Sequence, residues 1–276
     1  MVFPPRSLVY VLLFLYTSMV SNTYTAKKLD LFFRDFLDID GFSESDNSLN
    51  GIQVDNDGGE IRKIAFAVDA NRETFQRAAD SGAGMLFVHH GLFWGAPLAL
   101  SGHYRERVKF LLDRNICLYA VHLPLDQHPR MGNNAVLAEL LGLENIEPFG
   151  TYHRKKVGCK GILSSPLTVD EAAQKIAFAG RPPTGIFPFG KEKNASCAII
   201  SGGAAKEARQ AIAEGMDLYI TGEAAHEIYH DCLEAGINVI AGGHHSTEVW
   251  GVRSVMRHCA EKLNIETEFI DVPTGL

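Results

Sequence analysis

The sequence predicts an α/β protein made of two similar α/β domains from an internal duplication, with mixed or mostly parallel sheets flanked by helices. Three observations carry this prediction. Short apolar runs alternate with amphipathic stretches of about 10–15 residues, the pattern of strand–helix units. The alternation starts afresh near residue 150 of the 276. Each half also contains an apolar run that ends in a histidine pair, His89-His90 in the first and His244-His245 in the second. The expected divisions are an apolar extension over 1–25, a first domain over 26–150 and a second over 151–276.

In the first half, "KKLDLFFRDFLDIDGF" sets Leu29, Phe32, Phe33 and Phe36 on one helical stripe that stops near Gly41. A turn-rich segment, "SESDNSLNGIQVDNDGG", holds the short apolar element Ile52 and Val54. "IRKIAFAVDA" reads as a buried strand, 71–82 as a helix and "AGMLFVHHG" as a strand stopping at Gly91. Helix 103–114, strand "NICLYAVHL" and helix "GNNAVLAELLGL", with its asparagine start and glycine stop, follow.

In the second half, "GCKGILSS" reads as a strand and "TVDEAAQKIAFAG" as a helix capped by Thr168. Strands "SCAIISGGA", "MDLYITGE" and "INVIAGGHH" then alternate with helices "AKEARQAIAEG" and "AAHEIYHDCLEAG". Helix "TEVWGVRSVMRHCAEKLN" and strand "IETEFIDVP" complete the series. No ATPase-type phosphate loop and no GxGxxG occurs, and "ISGGAA" reads as a tight strand-to-helix turn.

With 46% hydrophobic and 21% charged residues, the composition is that of a globular chain, not a disordered or multispan membrane protein. Twenty-six Lys and Arg against 33 Asp and Glu give a net charge of −7, which argues against nucleic-acid backbone binding. Five cysteines, with no CxxC pair, point to buried thiols in a reducing compartment and to a cytoplasmic protein. The first 25 residues pull the other way: one arginine, an apolar stretch from Leu8 and small polar residues have the shape of a secretory signal, which would export the chain. That stretch is too short for a stable membrane span.

The chemistry lies at strand ends, where open α/β sheets bind ligands. His89 and His90 close one predicted strand; His122 and Asp126 follow another; His244, His245 and Glu248 follow a third. Imidazoles with carboxylates form a site suited to zinc, iron, manganese, cobalt or nickel, and this many donors suffices for two divalent metal ions. His244 and Glu248 converge if a helix starts directly after the Gly242-Gly243 turn. Neighbouring strand residues face opposite ways, so His89 and His90 reach one site only if the strand has already ended. Asp126, placed in a loop after Pro124, can reach across. Glu223, after strand "MDLYITGE", is a candidate acid at the same sheet edge.

The segments "NGIQVD", "VHHGLFW", "HLPLDQHPRMGNNA", "ITGEAAH" and "AGGHHSTEVWGVR", with "EFIDVP" at the end, resemble the YbgI-like dinuclear metal-centre family, the GTP cyclohydrolase 1 type 2 homologues, over about residues 26–276. The resemblance implies metal ligands at His89, His90, Asp126, His244 and Glu248, with His122 near the site. It implies two similar α/β domains and a homohexamer whose metal pairs face an internal cavity. It also implies a metal-dependent hydrolase, with GTP cyclohydrolase-like opening of a purine nucleotide as the named form. His122 and Glu223 are then candidates to move a proton. The alternative is a non-catalytic metal-binding regulatory or interaction protein. The partners expected are copies of the chain and a small-molecule or nucleotide substrate; Arg105, Arg107 and Arg253 are the candidate phosphate contacts.

Overall fold

Two sheets organise the chain, and the computed structural model describes residues 23–276. The apolar stretch read as a signal or extension therefore lies, as far as residue 22, outside the described residues. Packing includes residues ahead of Ala26. Tyr24 bridges Ile61, its hydroxyl donates to the Leu263 carbonyl at 2.9 Å, and Thr25 caps the first helix.

Helix α1, Ala26–Leu37, buries Leu29, Phe33 and Leu37 on one stripe and ends at Asp38 in the left-handed conformation. Phe33 sits against Phe87 and Tyr119, with ring centroids 5.1 and 4.9 Å away. The first sheet contains β1 (Gly51–Val54), β2 (Lys63–Asp69), β3 (Met85–His90), β4 (Cys117–Ala120) and β11 (Glu266–Phe269), in the order β1-β4-β3-β2-β11. Only β1 is antiparallel to its neighbour. Helices α2 (Arg72–Asp80) and α3 (Gly102–Asp113) cover one face through Phe75, Ala78, Phe110 and Leu111.

Two short helices, α4 (Leu123–Gln127) and α5 (Asn133–Leu141), lead to the second sheet. Its strands are β5 (Leu143–Tyr152), β6 (Lys155–Leu167), β7 (Gly185–Phe187), β8 (Asn194–Ile200), β9 (Leu218–Thr221) and β10 (Asn238–Ala241). The order is β5-β6-β8-β9-β10-β7, with β8, β9 and β10 parallel. Helices α5 and α6 (Val169–Ile176) supply Leu137, Leu141, Ala172 and Ile176 to one face. Helices α7 (Ala208–Ala213) and α8 (Tyr229–Ala235) supply Ala208, Ala211 and Cys232 to the other.

The two sheets are thus two mixed α/β layers flanked by helices, as the alternation predicts. A single cut near residue 150 does not separate them, since β5 starts at Leu143 and β11 returns to the first sheet. Helix α9, His244–Leu263, follows β10 of the second sheet yet packs Val249, Val252, Val255 and Cys259 into the core of the first. Trp250 touches the cores of both.

Two strands go unmarked in the sequence, and one local reading changes. "LENIEPFGTY" forms β5, a ten-residue strand in a hairpin with β6. It pairs on one side only and five consecutive residues, Glu144–Pro148, are exposed, so no apolar alternation marks it. The edge strand β7 has three residues, too few to carry a pattern. Asp126 lies in helix α4, not in a loop, because Pro124 falls in the first turn, where a missing amide hydrogen costs nothing.

Candidate metal centre

The histidine-bearing strand ends and the start of α9 meet between the sheets. Strand β3 continues through both His89 and His90, so the strand does not end before the pair, contrary to the sequence expectation. His89 follows Met85 and Phe87 on the α9 face and is fully buried. His90 belongs to the opposite face but is the last strand residue and only partly buried. Its ring comes to 4.6 Å from that of His89, centroid to centroid.

Each imidazole of the cluster has Nδ1 tied to an acceptor. His89 Nδ1 lies 2.9 Å from the Val121 carbonyl, and His90 Nδ1 2.9 Å from Asp69 Oδ1. Asp69 stands directly opposite His90 in the β2–β3 register. His122 Nδ1 is 2.9 Å from Asp46 Oδ1, and the Leu123 amide donates to the other oxygen of Asp46 at 2.9 Å. Burial resists ionisation of Asp46, but the hydrogen bond and charge of His122 hold its carboxyl below the usual range. His244 Nδ1 is 2.5 Å from Glu223 Oε1. With an acceptor on Nδ1, the ring is oriented and the Nε2 lone pair is the one left for a metal.

The free nitrogens converge on two carboxylates. Asp126 Oδ1 accepts from Asn133 Nδ2 at 2.8 Å and from Ser201 Oγ at 3.0 Å, which leaves Oδ2 facing His89 Nε2 at 3.5 Å. Glu248, one turn beyond His244 in α9, divides its two oxygens. Oε1 is 3.5 Å from His89 Nε2, and Oε2 is 3.3 Å from His90 Nε2 and 3.2 Å from His244 Nε2. The helix does begin directly after Gly243, as the spacing of His244 and Glu248 requires. His89, Asp126 and Glu248 can bring one donor atom each within 4.8 Å of one another; so can His90, His244 and Glu248, and so can His89, His90 and His122.

Charges follow this geometry. Burial opposes charging His89, yet Asp126 and Glu248 raise its pKa to about 9. Burial likewise opposes His244, but Glu248 and Glu223 raise it to about 10. Glu248 is buried, which favours the neutral acid, and the three surrounding histidines instead hold it well below the usual range. His89 Nε2 and Glu248 Oε2 are buried with no hydrogen-bond partner. Buried polar atoms in that condition are costly unless something else binds them. The donors therefore fit one or two divalent metal ions.

His89, His90, Asp126, His244 and Glu248 come together at the centre, with His122 beside them and Glu223 one step behind His244. His245 turns away, with Nε2 3.6 Å from Asp271 Oδ1. Sequence reasoning missed Asp46, Asp69, Asn133 and Ser201, whose residue types are those of ordinary turns and carry no signal of their own. Outside the cluster a cleft of about 560 Å³ opens, with Trp94 and Tyr152 in its wall.

The fold and site define a two-sheet α/β protein with a His/Asp/Glu centre between the sheets. The sequence model of Duf34/NIF3 (NGG1p interacting factor 3) matches residues 24–275, and the chain belongs to this family. Among curated relatives, a GTP cyclohydrolase 1 type 2 homolog of Treponema pallidum is 41% identical, covering 91% of this chain and 100% of the relative. One from Archaeoglobus fulgidus is 43% identical, covering 89% and 97%. Among solved structures, TTHA1606 from Thermus thermophilus is similar at a TM-score of 0.84 and 33% identity, covering 92% of this chain and all of the other. Reduced HcgD from Methanocaldococcus jannaschii is similar at 0.79 and 27%, covering 91% and 99%.

Proposed function

We propose that the chain is a metal-dependent hydrolase whose dinuclear centre is held by His89, His90, Asp126, His244 and Glu248. One observation carries the reading: the two oxygens of buried Glu248 face different donors, Oε1 toward His89 and Oε2 toward His90 and His244. With its oxygens so divided, Glu248 would help hold a metal pair together with His89, His90, Asp126 and His244. When bound, a pair of zinc, iron, manganese, cobalt or nickel ions supplies Lewis acidity to a bond undergoing hydrolysis.

The chain's own residues do the rest. Asp46, Asp69, Glu223 and the Val121 carbonyl hold the four rings in place. His122 lines the cleft with its Nδ1 engaged, so Nε2 is the nitrogen available to move a proton. Glu223 acts through His244, as a positioning residue. The relatives' name, GTP cyclohydrolase 1 type 2 homolog, supports ring-opening hydrolysis as the named form of this chemistry. A cytoplasmic homohexamer goes with the same reading. Among the described residues no helix is long and apolar enough to cross a membrane.

The test is elemental analysis of full-length protein purified without added metal, followed by a turnover screen over nucleotides, phosphodiesters and amides. Close to two ions per chain and metal-dependent turnover are expected. Bound metal with no turnover of any substrate, alongside capture of a partner protein, would replace the hydrolase by the non-catalytic alternative.

A further inference from the structure

The helix read from "TVDEAAQKIAFAG" does not run through that segment. Helix α6 stops at Ile176, and Ala177, Phe178 and Ala179 follow with φ of 53°, 34° and 57°, closed by Gly180 at 81°. A run of residues with a Cβ in the left-handed region is unfavourable and persists only where its surroundings over-determine it. Here the surroundings are those of Phe178, whose ring is fully buried in the core of the second sheet.

That ring lies on the turn that starts α9. A methyl group built on Gly242 overlaps the Phe178 ring edge, Cδ1 and Cε1, and presses on Thr247 Cγ2. The φ of Gly242 is not left-handed, so its backbone admits alanine and the exclusion is steric. Within the sheet the turn is already fixed: the Gly242 amide donates to the Thr221 carbonyl and the Gly243 amide to the Gly222 carbonyl, both at 2.8 Å. Thr184 Oγ1, beyond the left-handed run, donates to the Ala241 carbonyl at 3.1 Å, and Arg181 pairs with Asp271 at 2.8 Å. The Phe178 ring therefore closes on a turn that is held along its other edges. His244 is the next residue after that turn and Glu248 lies one helical turn further on, so a shift at Gly242 is carried to both.

We infer that Phe178 is a positioning residue for the metal centre: seated against Gly242 from a left-handed turn, it sets where α9 begins and so where His244 and Glu248 present their donor atoms. This rests on the proposed centre only for what those atoms hold. The experiment is a double-mutant cycle on the full-length chain with Gly242→Ala, Phe178→Leu and the two together. Its readouts are manganese titration, thermal unfolding and crystal structures of the metal-free variants. Gly242→Ala is expected to unfold cooperatively, to bind manganese about 10–100-fold more weakly and to lengthen the 2.5 Å contact between His244 and Glu223. Phe178→Leu, which keeps the core filled but removes the ring edge, weakens binding alone and recovers part of the loss when added to Gly242→Ala. Leu163→Ala truncates the same core on β6, with β8 and β9 between it and β10, and should lower the unfolding temperature with manganese affinity unchanged. An unchanged manganese affinity and His244–Glu223 contact in Gly242→Ala overturns the inference. So does an equal loss of manganese in Leu163→Ala, or the absence of recovery in the pair. A wild-type chain that takes up no manganese removes the metal-centre reading, and the His244–Glu223 distance in Gly242→Ala still decides this one.

Discussion

Asn133 fixes Asp126: its Nδ2 donates to Asp126 Oδ1 at 2.8 Å, while its own Oδ1 accepts the Gly251 amide of α9 at 2.7 Å. One buried side chain thus ties a carboxylate from α4 to the helix that carries His244 and Glu248. Asn133→Ala removes both bonds and takes one donor from the buried Asp126 carboxylate, at a cost of about 1–3 kcal/mol. Metal affinity should fall by about 10–100-fold because Asp126 loses its orientation. Thermal unfolding and metal titration check the two effects separately; unchanged metal affinity would remove Asn133 from the site's support.

Glu248→Gln and Asp126→Ala should differ. If Glu248 spans the centre, its neutralised variant loses both ions, whereas Asp126→Ala loses the one on its own side and keeps the other. Elemental analysis of the two purified variants decides this. Full occupancy in Glu248→Gln would rule out the bridge.

Metal uptake should expel protons. In the metal-free chain His89 and His244, with pKa values raised to about 9 and about 10, are charged at neutral pH, and a ligating imidazole is neutral. Apparent affinity therefore rises with pH up to that range and falls as the solution is acidified. Calorimetry in two buffers of different ionisation enthalpy should show a buffer-dependent heat; identical heats would contradict it.

Gly202 has a φ of +68°, and a methyl group built there overlaps Glu248 Oε1. Gly202→Ala is strained by its backbone and displaces the shared carboxylate, so both stability and metal content should drop. The backbone strain alone costs about 1–2 kcal/mol. Loss of stability with full metal content would show that Glu248 relaxes without leaving the site.

All five cysteines are free and buried. Burial pushes the thiols of Cys159 and Cys259 up to about 12, and burial together with Asp55 and Asp30 does the same for Cys117. A thiol reagent at mildly alkaline pH should leave the native chain largely untouched and titrate all five after denaturation. Rapid reaction of the native chain would contradict the burial.

The parts legible in the sequence are those in which residue type and spacing speak together. Apolar runs ending in histidine pairs, and the four-residue step from His244 to Glu248, identify the convergent cluster because strand ends and helix turns have fixed geometry. The α/β class followed from the same alternation. What orients the donors was not legible. Asp46 is remote in sequence from the ring it holds, Asn133 looks like an ordinary residue at a helix start, and the acceptor for His89 is a backbone carbonyl with no residue signature. The pleat argument failed for His90 because it treats a strand end as abrupt, whereas Asp69 on the neighbouring strand holds that ring at the sheet's rim.

Strand β11 lies beside β2 in the first sheet, with every strand of the second sheet between them in the chain. A ribosome releases β2 long before β11, so β2 keeps an unpaired edge while all the strands of the second sheet are made. Long-range parallel pairing of this kind is slow, and an open edge exposed meanwhile invites misassociation. The first sheet to be translated is thus the last to be closed, and protection of its edge during synthesis becomes a requirement of this architecture.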